Sequence, residues 1–209
     1  MPTPGGESAA AGGRPTLWLC RHGETEWSHS GRHTSTTDLD LTPAGRVQAQ
    51  RAGAVLREGD FGRVLRSPMH RARQTAELAG FPDAVVELDA TEWAYGDYEG
   101  LTTDQIRERD PGWTIWRGVT PGGETAAEVA ARADRVVAHV RGTGVARVLL
   151  FSHGHFLRVV GARWLGLPAE WGERLKLGTA ALCELGWERE VPAVVQWNVR
   201  PRLWTGPTP

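Results

Sequence analysis

The chain predicts an α/β protein, a three-layer sandwich with a mostly parallel central sheet flanked by helices. Two observations carry that expectation. Short apolar runs alternate with segments that open on helix-capping residues from residue 16 to 165, and two further strands close the chain. The run at 16–20 ends in Arg21-His22-Gly23, and the run at 146–151 ends in Ser152-His153-Gly154-His155. Open α/β sheets bind ligands beyond the carboxyl ends of their strands. Two His-Gly pairs at two such ends therefore predict one shared pocket.

The elements follow in order. Residues 1–14, rich in Gly, Ala and Pro, read as a disordered leader, 15–199 as one domain and 200–209 as a tail. A strand at 16–20 precedes a polar loop over 23–41. Thr42-Pro43 opens a helix to about Gly59, with Thr as cap, Pro in the first turn, and Val47, Ala54 and Val55 among its apolar positions. Arg63-Val-Leu-Arg66 is a short strand, and Ser67-Pro68 starts a helix to about Ala79. A strand spans 84–88. Residues 91–122 are irregular, with a helical turn near 102–108. Gly123-Glu124-Thr125 leads a helix to about Arg141, followed by a strand at 146–151 and a helix at 155–165. Closing strands fall at 180–187 and 193–197.

Composition narrows the function. A net charge of -1 argues against a polyanion-binding surface, so no nucleic-acid partner is expected. Lys176 is the only lysine among 24 basic residues, so the positive charge is nearly all guanidinium, which grips phosphate bidentately. Cys20 and Cys183 lie in apolar runs and read as core thiols rather than a disulfide framework. The first residues lack the basic start and apolar stretch of a signal peptide, and no run of 18 apolar residues occurs. The expectation is a cytoplasmic protein without a membrane partner. Of ten tryptophans, Trp113 and Trp116 fall in the irregular stretch, where they either pack it into the core or wall a pocket.

Four units can carry chemistry. In the first, Arg21 can hold an anion, His22 can attack one, and Gly23 permits close backbone approach. The second, Leu65 to Ala76, places Arg71 in the first turn of a helix, against the dipole's preference for negative charge. A bound anion between them would reconcile the two. Arg73 should point to solvent or a salt bridge. In the third, Thr91 to Gly100, acids and aromatics interleave, a setting that can raise a carboxyl pKa for proton donation. Glu92, Asp97 and Glu99 are equal candidates there. The fourth is Ser152-His153-Gly154-His155, whose spacing matches no metal motif. Two Arg, two His and a carboxylate suit phosphoryl transfer to a histidine, with guanidinium groups neutralising the phosphoryl charge.

At these residues the chain resembles the histidine phosphatase superfamily, which includes cofactor-dependent phosphoglycerate mutase. The match covers about 16 to 187, and the four units occur in the family order. The resemblance implies that His22 is the phosphorylated nucleophile, that Arg21, Arg71 and His153 form the phosphate pocket, and that Glu92 is the proton donor. It also implies catalysis with no metal and no cofactor. Within the superfamily the chain is most similar to small bacterial acid phosphatases and sedoheptulose-bisphosphatase-like enzymes. Ser28 stands where the mutases carry Asn, and Thr103 where they carry a substrate-binding Lys. The implied activity is hydrolysis of small phosphorylated metabolites, sugar phosphates among them. The alternatives are a phosphomutase, a non-catalytic phospho-ligand binding protein and a metal-dependent hydrolase. Ser28, Thr34, Ser35, Tyr95, Gly154 and His155 are the expected substrate contacts. His29, His33, His70 and His139 receive no role. A homodimer through the edge of the closing strands is the assembly this layout allows. A protonated carboxyl and a neutral His together predict a mildly acidic pH optimum, with limbs near roughly 4.3 and 6.5.

Overall fold

A computed structural model describes residues 13–201. The expected leader and tail thus fall almost wholly outside the described residues. The six strands are β1 (Thr16–Arg21), β2 (Arg63–Arg66), β3 (Val85–Val86), β4 (Arg147–Ser152), β5 (Leu182–Glu188) and β6 (Val191–Val199). They form one sheet in the order β3-β2-β4-β1-β5-β6. The first four run parallel; β5 and β6 add an antiparallel pair at one edge.

Side-chain alternation splits each central strand between two cores. Leu17 and Leu19 of β1, with Val148 and Leu150 of β4, pack under α5 (Ala126–Gly142) and α6 (Gly154–Trp164). Cys20, Leu149 and Phe151 face the opposite way, onto α2 (Pro43–Gly53) and α3 (His70–Leu78). Both cysteines are buried and free. The sandwich is therefore three layers deep, as the alternation of elements predicts.

Four expectations need correction. The loop over 23–41 contains a short helix, α1 (Glu26–Ser30), held by a reciprocal capping box between Thr25 and Ser28. The next helix stops at Gly53, and its inner face is Gly45, Ala49 and Ala52; Val47 and Val55 point outward. Gly53 lies against the Ala79 carbonyl, where a Cβ would stand 2.5 Å from the oxygen, so α2 meets α3 through backbone rather than side chains. α3 begins at His70, three residues after Ser67, whose hydroxyl accepts both the Met69 N–H and the His153 Nε2–H. The strand expected at 84–88 shortens to Val85–Val86, and Leu88–Ala90 turns into a 3-10 helix capped by Glu87.

Residues 91–122 hold α4 (Thr103–Arg107) and little other regular structure, yet they are part of the core. Trp93, Tyr95, Trp113 and Trp116 are all buried in the cluster that includes α5 and α6. The indole N–H groups of Trp93 and Trp113 donate to the Glu124 and Val119 carbonyls, so burial leaves neither unpaired.

The turn after β1 depends on two facing glycines. A Cβ on Gly23 would stand 2.4 Å from the Gly45 carbonyl oxygen, and one on Gly45 would stand 2.1 Å from that of Glu24. Gly45→Ala is expected to destabilise the protein by about 1–3 kcal/mol, as overpacking against backbone does. Urea denaturation reads this, and an unchanged midpoint would refute the close approach.

Candidate active site

The site is built at the carboxyl edge of the parallel strands. β1 and β4 pair in a register that sets Arg21 opposite Ser152, and the His22 N–H donates to the Ser152 carbonyl at 2.9 Å. That pairing brings His22 and His153 together, with ring centroids 5.3 Å apart. From the other neighbour of β4, the Ser67 N–H donates to the Phe151 carbonyl at 2.9 Å, which sets α3 and its Arg71 beside His153.

His22 Nδ1 lies 2.7 Å from the Gly23 carbonyl oxygen and must donate to it. The remaining nitrogen, Nε2, therefore carries the lone pair when the ring is neutral. Burial, then the nearby Arg71 and Arg21 charges, hold His22 well below the usual histidine range. Burial and Arg71 do the same to His153. Its Nδ1 accepts from Arg71 Nε at 3.2 Å, so Nε2 carries the hydrogen and donates to Ser67 Oγ at 2.7 Å.

Arg71 is fully buried. Beyond His153, its donors meet the carbonyls of Thr37 (3.0 Å), Ser35 (3.0 Å) and Thr34 (3.4 Å), and Asp38 lies 3.8 Å from Nη1. It fastens the 34–38 loop and sends positive potential into the pocket from behind. Arg73 faces solvent beside Glu77, as expected. Arg21 donates from Nη1 to the Leu177 carbonyl at 2.7 Å, while its Nε is buried with no partner among the described residues. Its guanidinium lies against Gly154, whose missing Cβ makes room at 3.2 Å.

Geometry separates the three acids. Asp97 is exposed. Glu99 bonds the Ser35 N–H and hydroxyl and the Thr37 N–H, so it staples the same loop as Arg71. Glu92 is buried at the N-terminus of α6 and accepts three backbone N–H groups: Trp93 and Phe156 on Oε1, His155 on Oε2. Arg132 of α5 reaches the carbonyls of Asp89, Thr91 and Glu92 and pairs with Glu124, holding this loop from behind.

A cavity of about 250 Å³ opens over His22, lined among others by Arg21, Glu92, Tyr95, Gly154, His155 and Arg158. Ser28 and Thr34 also line it, but Ser28 Oγ is engaged in the α1 capping box and Thr34 Oγ1 donates to the Arg32 carbonyl. Ser35 lies behind the wall, bound to Glu99. Arg71 and His153 sit behind His22 rather than in the wall.

Among the wall residues without an expected role are His33 and Arg158. His33 is buried against Tyr95 and Trp113 and beside His155. Burial pushes it down to about 4, against the pull of Glu99. Arg158 stacks on Trp116, 4.5 Å from the ring centre. An Arg at i+5 from His153 on a helix starting at the pocket rim was the available signal for Arg158. His155 is likewise held neutral, first by burial and then by Arg158, and its Nδ1 lies 2.6 Å from the Tyr95 hydroxyl. His139 lies on the surface of α5, paired with Glu87. Among the described residues no three His, Cys, Asp or Glu side chains cluster as metal ligands, and no helix is long and apolar enough to cross a membrane.

A neutral imidazole flanked by guanidinium groups at the carboxyl edge of a parallel sheet defines an α/β enzyme that handles phosphoryl groups. The chain belongs to the histidine phosphatase superfamily (branch 1), whose family model matches residues 17–200. It is 46% identical over 178 residues to an acid phosphatase of Mycobacterium tuberculosis, covering 84% of this chain and 88% of that protein. It is 36% identical over 188 residues to a sedoheptulose 1,7-bisphosphatase of Saccharomyces cerevisiae, covering 75% and 69%. Among solved structures, a Mycobacterium tuberculosis open-reading-frame product superposes with a TM-score of 0.85 at 42% identity, covering 90% of this chain and 99% of that one. A mycobacterial glucosyl-3-phosphoglycerate phosphatase in complex with VO3 gives 0.79 at 29% identity, covering 88% and 99%. The protein is a phosphatase of phosphorylated small molecules.

Four histidines near 6.5 when unfolded are held lower in the native protein: His22, His33, His153 and His155. As pH falls below about 6.5 the unfolded chain takes up protons first, so native stability falls with pH. Each histidine contributes a slope of up to about 1.4 kcal/mol per pH unit. For His33 this window runs from 6.5 down to about 4. Denaturant melts of wild type and His33→Gln between pH 7 and 4.5 test it; the variant should show the shallower slope, and equal slopes would refute the assignment.

Proposed function

We propose that the protein is a metal-independent phosphomonoesterase that works through phosphohistidine at His22. The observation that carries this reading is the His22 Nδ1 bond to the Gly23 carbonyl, which orients a neutral ring with its nucleophilic Nε2 free in a cavity lined by Arg21.

The substrate phosphoryl group occupies the cavity beside His22, where Arg21 lines the wall and its guanidinium faces the phosphoryl charge. His22 Nε2 forms the P–N bond as the P–O bond to the leaving alcohol breaks. Glu92 gives its proton to that oxygen. Water then attacks phosphorus, Glu92 takes back a proton, the P–N bond breaks, and inorganic phosphate leaves. Arg71 acts through its charge and through His153, which packs against the nucleophile. His33, His155 and Arg158 face the leaving group and select it. The substrates are small phosphorylated metabolites, sugar phosphates among them, and the setting is cytoplasmic.

The depressed His22 also revises the expected pH profile. The nucleophile stays neutral well below 6.5, so the acid limb belongs below that value and activity extends into acid solution.

Phosphate release with EDTA present tests the reading. Wild type should turn over and His22→Ala should not; activity surviving in His22→Ala sinks the phosphohistidine step. Glu92→Gln should lose about 10²–10⁴-fold on alkyl phosphates and far less on p-nitrophenyl phosphate, whose leaving group needs no proton. Equal losses on both would remove Glu92 from the donor role.

A further inference from the structure

Behind the catalytic strand end lies a second cavity, about 250 Å³, lined by Gln48, Arg51, Thr179, Ala180, Arg200 and Pro201. It shares no wall residue with the active-site cavity. Neither Arg51 nor Arg200 pairs with a carboxylate among the described residues. Arg51 Nε is buried and has no hydrogen-bond partner among them. Among the described residues, no acidic side chain lines the recess. Gln48 uses its Oε1 on the Glu24 N–H at 3.0 Å, which leaves its NH2 group as a further donor. Two guanidinium groups facing one recess repel each other, and a buried donor without an acceptor is costly. A dianion between the two guanidinium groups relieves that repulsion.

The wall of this recess also supports the active site. Leu177 accepts from Arg21 Nη1 at 2.7 Å, and the Ala180 N–H donates to the His22 carbonyl at 3.1 Å. Between them, Gly178 makes room for the Arg200 guanidinium: a Cβ there would stand 2.3 Å from Nη2. Ala180 itself sits at φ 49°, a left-handed conformation that a non-glycine residue keeps only when its surroundings impose it. Segment 177–180 thus touches the Arg51/Arg200 recess on one side and both Arg21 and His22 on the other.

We propose that this recess is a second, non-catalytic site for a phosphate-type dianion, and that its occupancy adjusts Arg21 and His22 through segment 177–180. The dianion is inorganic phosphate or the phosphate group of a small monoester. Binding stands independently of the reaction; the kinetic consequence rests on the phosphomonoesterase reading. Inorganic phosphate is the product of that reaction, so occupancy adds a non-competitive component to product inhibition.

Calorimetric titration of the full chain with inorganic phosphate, and separately with methylphosphonate, tests the site. Wild type should show two binding events, and Arg51→Ala/Arg200→Ala should lose one while keeping its melting temperature and its kcat at low phosphate. The non-competitive inhibition constant should weaken about tenfold or more in the double variant. Should that variant melt early, Arg51→Gln alone tests the same loss. Binding of both probes shows that the site also accepts monoester-like anions, and binding of phosphate alone limits it to the product. A single event per chain, or identical isotherms for wild type and variants, overturns the proposal. Activity surviving in His22→Ala would sink the phosphohistidine step and leave this binding result standing.

Discussion

The parallel pairing of β1 with β4 is the constraint on which the rest of the site depends. Its register sets Arg21 against Ser152, so the residue after each strand is a histidine, and the two rings meet. A slip of one residue would turn every side chain of β1 to the opposite face. Leu17 and Leu19 would leave the α5/α6 core, and Cys20 would leave the α2/α3 core. Burial on both faces thus fixes the register, and the register fixes how His22 and His153 meet. His22 is placed by hydrophobic packing two to five residues away from it.

Electrostatics then prepares that geometry. His22 and His153 sit beside buried guanidinium groups, and both the lost hydration and the like charge oppose protonation. The same cations that hold the imidazole neutral are those that favour a phosphoryl dianion. One arrangement therefore keeps the His22 imidazole neutral and favours an anion beside it. Arg71 costs much to bury, and its carbonyl partners on the 34–38 loop offset that cost while shaping the loop. Glu99 binds the same loop through N–H groups, so a cation and an anion grip one segment from opposite polar faces.

What could be read from the sequence was whatever lies on a regular element. The layer architecture, the strand ends bearing His22 and His153, and Arg71 in the first turn of α3 follow from periodicity and capping. The choice among Glu92, Asp97 and Glu99 did not, because it rests on which acid meets the N-terminus of α6 more than sixty residues later. Periodicity carries no information about such a contact. Ser67 looks like the cap of α3, yet only the fold shows that its hydroxyl serves both the Met69 N–H and His153, and the helix starts at His70. His33 sits in a polar loop that reads as solvated, and only the packing of Tyr95 and Trp113 against it shows that it is core. Ser35 illustrates the reverse, a hydroxyl in the expected contact loop whose bonds are spent on Glu99.

The stretch from 91 to 122 shows why specificity is the part of such an enzyme that sequence conveys least. Its tryptophans bury it in the α5/α6 core, so it cannot move as a free lid without exposing Trp93 and Trp113. Yet the same stretch supplies Glu92 and Tyr95 to the cavity and packs Trp116 under Arg158. Core packing and part of the cavity wall are therefore carried by one segment. A substitution there that alters selectivity must also be accommodated by the core. Variation of the cavity wall should concentrate at Arg32, which is exposed, and at Thr34, which is half exposed, whose side chains can change without opening a void beneath them.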